Sequence, residues 1–261
     1  MTTAALVQSM TEASSCRHDG EIKMKSEKRI ARMVGILVFL HLAAGLMVPF
    51  IMLHPIVSPR GFLVTAAESA LQIRLAVLLL FMGSAIATGI AITALPVLGR
   101  YSYVMAWSLV ALGVAAFSLQ VVDNGRILSL LSLSQEYART GAGKPEIFQA
   151  LALVAGAARK WSHYTYLLVA VSWITLLFSM LYRFRLVPRL LAALGLMTSL
   201  LQIAGVSLRV IMGFPAEMRL AMPLGPCYLA LALWLLVKGF AEPLPAATAA
   251  ELDPALLRGS R

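Results

Sequence analysis

Six apolar runs of bilayer length, one after another, leave this chain few ways to fold. They cover 33–53, 72–95, 102–123, 162–182, 187–211 and 219–240, each near the roughly 20 residues a helix needs to cross about 30 Å of hydrocarbon. In lipid every backbone N–H and C=O must be satisfied within its own segment, so such runs become helices. Charge content agrees, since 60% of the 261 residues are hydrophobic and only 13% are charged, against about 25% charged in soluble domains. The expected fold is all-α: a polytopic membrane helix bundle of about six transmembrane helices, with the lipid bilayer as its solvent.

Prolines and glycines punctuate the runs. Pro96 with Gly99 ends the second helix, Pro188 separates the fourth from the fifth, and Gly213-Phe214-Pro215 separates the fifth from the sixth. Pro49 falls inside the first span, where it kinks the helix near its far end. Pro223 and Pro226 occupy the first two turns of the sixth, so its regular part starts after 219. The connection between helices three and four is long and partly helical, with pieces at about 126–139 and 145–160 around a joint at 140–144. Ile127, Leu130 and Leu131 share one side of the first piece, so these pieces are expected to lie on the interface or pack over the bundle. A polar leader, 1–24, and a tail, 244–261, read as disordered around a membrane domain at 25–243.

The net charge of +10 is concentrated at the ends of the apolar runs. Lys23, Lys25, Lys28, Arg29 and Arg32 precede the first, and Arg183, Arg185 and Arg189 sit between the fourth and fifth. That distribution matches the positive-inside bias and an anionic leaflet, not nucleic acid, and places both termini in the cytoplasm. The first run spans a full bilayer and has no small-residue cleavage site after it, so it reads as an uncleaved helix and not a signal peptide. Cys16 and Cys227 are far apart, which predicts neither a disulfide nor a metal cluster.

Polar residues inside apolar runs are expensive, and they narrow the search for a site. With this orientation Arg74, Asp123, Arg209, His54 and His163 all fall near the outer ends of their helices. One reading is an outward-facing polar pocket in which Asp123 neutralises Arg74 or Arg209. The other is that the arginines reach up to headgroups and Asp123 meets water. Thr198, Gln202, Gly205 and Arg209 form one stripe, and Gln120 precedes Asp123 on another. His41 lies near mid-membrane, where a neutral ring bonded to a neighbouring helix is expected; haem ligation or proton relay are the alternatives. No nucleophile motif, phosphate loop or paired carboxylates stand out, so no catalytic residue, cofactor or metal is assigned.

Several segments together carry a family resemblance. They are KSEKRIARMVGILVFLHLAAG, IRLAVLLLFM, PEIFQALALVAGAARKW, LYRFRLVPRLLAALGLM and GPCYLALALWLLVKGF, in this order between Lys25 and about Pro243. The chain so resembles the bacterial membrane proteins grouped as domain of unknown function 4386; the basic turn before Pro188 is its most specific feature. The resemblance implies a multi-pass protein of the bacterial cytoplasmic membrane, and brings no catalytic or binding residues with it.

On function, the expectation is a non-enzymatic binding or regulatory protein. It would take a small ligand or a partner protein through the polar outer end formed by Arg74, Asp123, Arg209, Gln202, Gln120, His54 and His163. Secondary transport of a small solute is the alternative, and a haem or redox membrane protein a more distant one.

Overall fold

The computed structural model describes residues 26–53, 56, 62–140, 145–213 and 217–241. The described residues are helical apart from short turns, and six helices are long and apolar enough to cross a membrane. The chain is a multi-pass helical membrane protein. The leader 1–24, the tail 244–261 and His54 lie outside the described residues.

Helix α1 runs from Ser26 to Met52, and its last turn, Val48–Met52, widens into a π turn. Pro49 is the cause, because it has no N–H to continue the ladder. The Leu53 N–H instead reaches back to the Val48 carbonyl at 2.9 Å. A short helix α2, Phe62–Glu68, follows, then α3, Ala70–Leu98. Pro96 does not stop α3 at once; the helix runs two residues further, to its cap at Gly99.

Helices α4, Tyr103–Thr140, and α5, Pro145–Arg183, have 38 and 39 residues. The helical pieces expected at 126–139 and 145–160 are present, but as continuations of the membrane helices themselves and not as separate helices. The polar run Asp123-Asn124-Gly125-Arg126 does not break α4, because Asp123 and Asn124 are buried against neighbours. At 1.5 Å per residue each helix is about 57 Å long, far more than about 30 Å of hydrocarbon. The α4–α5 hairpin therefore projects beyond the bilayer at one end, called here the hairpin end.

Helix α6 spans Arg189–Met212 and ends on Gly213 at φ +75°, a left-handed cap that favours glycine. A five-residue helix α7, Glu217–Ala221, leads to α8, Leu224–Val237. The regular part of the last span so begins after Pro223. At the opposite, basic end, Arg100 pairs with Glu27, and the Ala241 N–H donates to the Leu186 carbonyl at 2.7 Å.

Because lipid tails are as apolar as leucine, close packing and hydrogen bonds hold such helices together. At Gly195 of α6 a Cβ would fall 2.1 Å from the Phe178 ring of α5, so the missing side chain is what lets the ring seat. Gly35 of α1 similarly lies against Ala232 and Leu236 of α8. The main core gathers Trp173, Phe178, Leu181, Tyr228, Leu231 and their neighbours toward the basic end. A second cluster, with Val48, Ala66, Ile73, Ile127 and Leu131, closes the hairpin end. There the Ser134 hydroxyl of α4 donates to the Leu63 carbonyl of α2 at 2.7 Å.

Candidate functional site

Two long helices meet halfway along their length in a polar cluster. Helix α4 turns Gln120, Asp123 and Asn124 inward, all buried. Helix α5 answers with Arg159, Ser162, His163 and Tyr166, whose spacing of three, four and seven puts them on one face. Asp123 is 20 residues from Tyr103, and His163 is 20 from Arg183. Both are therefore about 30 Å from the basic end, one hydrocarbon thickness. A bilayer whose hydrocarbon begins at the basic end would have its far membrane–water boundary at this cluster.

The Asp123 carboxylate is 1% exposed. Its Oδ1 accepts from the Ser162 hydroxyl at 2.9 Å, and its Oδ2 faces His163 Nδ1 at 3.2 Å. A carboxylate only accepts, so Nδ1 of His163 carries a proton. Arg159 Nε lies 3.8 Å from Oδ1, close enough for ion pairing but too far for a hydrogen bond. The Arg159 side chain is 16% exposed, and its buried Nε has no hydrogen-bond partner.

Around this centre the other polar groups satisfy one another in part. Gln120 donates to Asn124 Oδ1 at 2.8 Å, while its own Oε1 is buried without a partner. Asn124 donates to the Val77 carbonyl of α3 at 3.3 Å. Arg209 Nε donates to the Tyr164 hydroxyl at 3.1 Å, and its guanidinium also caps α6 by donating to the Gly213 carbonyl at 3.0 Å.

Asp123, His163 and Gln120 thus sit at one helix–helix seam. The ion-pair partners of Asp123 are Arg159 and His163, not Arg74 or Arg209. Arg74 is exposed on α3. Gln202 is half-buried on α6, and its buried Oε1 has no hydrogen-bond partner. Asn124, Arg159, Ser162 and Tyr166 belong to the site without having been expected there. Beginning the fourth span at 162 left Arg159 in a connection, although the helical spacing of Arg159, Ser162, His163 and Tyr166 was readable. Among the described residues, no three His, Cys, Asp or Glu side chains come together as a metal site would require.

The family described as domain of unknown function DUF4386 matches residues 33–239. The chain belongs to this family. The match runs from the first turns of α1 to just past α8, so the family domain holds all six spans and the whole polar cluster. Membership agrees with the resemblance read from the basic YRFRLVPR turn and its flanking runs. The family's description assigns it no activity. No curated protein and no solved structure matches the chain.

Proposed function

We propose that the protein is a non-enzymatic binding protein of the bacterial cytoplasmic membrane, which takes a small oxyanion group at Arg159 beside His163. In this reading both termini are cytoplasmic and the hairpin end faces outward. The observation that carries it is the guanidinium of Arg159, mostly buried at the membrane boundary. Its buried Nε has no hydrogen-bond partner among the described residues, and its ion pair with Asp123 is long. Guanidinium presents five donors in a fork that fits phosphate or carboxylate oxygens. Asp123 is already engaged by Ser162 and His163, so it orients the basic groups instead of competing as a ligand.

Binding is favoured over passage by the void nearest the basic end. Its lining, which includes Val34, Val38, Leu98, Leu181 and Leu235, is wholly apolar. A polar solute would lose its hydration there with nothing to replace it.

A phosphate could come free from the aqueous phase or on a lipid headgroup. The test is thermal unfolding of the purified full chain with inorganic phosphate, and in vesicles of phosphatidic acid against phosphatidylcholine. A ligand at 100 times its Kd stabilises by about 2.7 kcal/mol. Stabilisation by phosphate marks a free anion, and stabilisation by phosphatidic acid alone marks a headgroup. Either should vanish in Arg159→Gln and persist in Arg126→Gln, which changes an exposed arginine near the same level. No stabilisation by either probe, or an equal response in Arg159→Gln, would overturn the reading.

A further inference from the structure

Deeper than the boundary cluster lies a second polar site, unconnected to the choice of ligand at Arg159. His41 of α1 sets its Nδ1 3.0 Å from the Gly83 carbonyl of α3. The carbonyl only accepts, so in the neutral ring Nδ1 is the donor and Nε2 is left as an acceptor. His41, Ser84, Gly113, Tyr166 and Trp173 line one void of about 20 Å³, measured at water centres. Two of those side chains are more than nine-tenths buried, Ser84 at 5% and Trp173 at 2% exposed. Neither the Ser84 hydroxyl nor the Trp173 indole N–H has a hydrogen-bond partner. The Tyr166 hydroxyl reaches toward Ser84 without meeting hydrogen-bond geometry.

We propose that this void is a hydration site, in which one water molecule bridges the His41 Nε2, the Ser84 hydroxyl and the Trp173 indole N–H at mid-membrane. Size and chemistry agree. A water needs about 10–15 Å³ by this measure and two to four polar partners. The void supplies one obligate donor, one acceptor and one hydroxyl able to act as either. A dry void would leave two buried donors unsatisfied, each costing about 1–3 kcal/mol. Gly113 contributes by what it lacks: a Cβ there would stand 3.4 Å from Trp173 Nε1 and 3.3 Å from the Thr88 backbone.

The bound water ties α1 to α3 and α5, where lipid offers no hydrophobic drive to hold them. It also extends the boundary cluster inward. Tyr166 lines the void, and its ring centroid is 6.1 Å from that of His163.

Magic-angle-spinning NMR of the full chain in deuterated lipid bilayers tests this directly. The readout is magnetisation transfer from water to each indole N–H, with Trp173 assigned by Trp173→Phe. Trp161, 49% exposed at the boundary, is the positive control. The expected result is a water cross-peak at Trp173 in the unaltered protein. Ser84→Val or Gly113→Ala, which fill the void, should reduce it at least fivefold while Trp161 keeps its own. A Trp161 cross-peak without one at Trp173 in the unaltered protein overturns the proposal, whether or not the variants fold. An undiminished Trp173 cross-peak in a folded variant overturns it too. Phosphate binding at Arg159 is measured separately, so a dry Trp173 would leave that reading standing.

Discussion

Asp123 shows how a single charge can be both expensive and necessary in this protein. Removing it would leave Ser162, His163 and Arg159 without their shared acceptor, and breaking a buried pair in this way costs about 3–5 kcal/mol. His163 is 36% exposed, so water compensates part of its loss, and Ser162 and Arg159 remain to serve the carboxylate. Thermal unfolding should therefore rank Asp123→Ala well below His163→Ala, with the unaltered protein highest; the reverse order would show that Asp123 is not the centre of the cluster. Gly195 makes the matching case for packing. A methyl group there collides with the buried Phe178 ring, and overpacking of this kind costs about 1–3 kcal/mol. Gly195→Ala should lower the midpoint despite alanine's better helix propensity.

At the scale of elements, the continuity of α4 through Gly125 is the feature most open to test. Nothing lies within 4 Å of a Cβ at Gly125, so Gly125→Ala should be neutral or stabilise by about 0.5–1 kcal/mol. Gly125→Pro removes a helical N–H and clashes with the preceding turn, at a cost of about 3 kcal/mol or more. A hinge between separate helices would accept both substitutions, whereas a continuous helix accepts only alanine. Thermal unfolding of the two variants distinguishes the cases. The hydroxyl residues along α5 serve their own helix. Ser172, Thr175 and Ser179 of α5 each donate to the carbonyl four residues back, at 2.7–2.9 Å, which leaves their faces free for close approach and offers no donor to a ligand.

For the whole molecule the open quantity is orientation, since the bundle would fit a bilayer either way up. The basic groups that set it are Lys28, Arg29 and Arg32 at one end of α1 and Arg183, Arg185 and Arg189 beside the α5–α6 turn, all at the end marked by the Arg100–Glu27 pair. A thiol placed at the exposed Arg139 should react with a membrane-impermeant maleimide in intact cells. One placed at the exposed Arg189 should react only after lysis. Both are made in a Cys16→Ser, Cys227→Ser background, and the opposite pattern would invert the topology.

The amino-acid sequence by itself determined the membrane class, the six spans and the family. Each rests on local information: run length against bilayer thickness, and proline or glycine at the breaks. It also singled out Asp123, Gln120 and His163, because polar groups stand out against apolar neighbours. Which of them meet was decided only in three dimensions. Partner choice depends on the rotation and register of α4 against α5, and these are set by packing between residues about 40 apart in the chain. The same packing gave Asp123 to Arg159 and Ser162 instead of Arg74 or Arg209. It also carried the spans on through a polar stretch that looks like an ending when read one helix at a time. The six helices follow from the hydrocarbon each must cross, and the polar end from how two of them fit together.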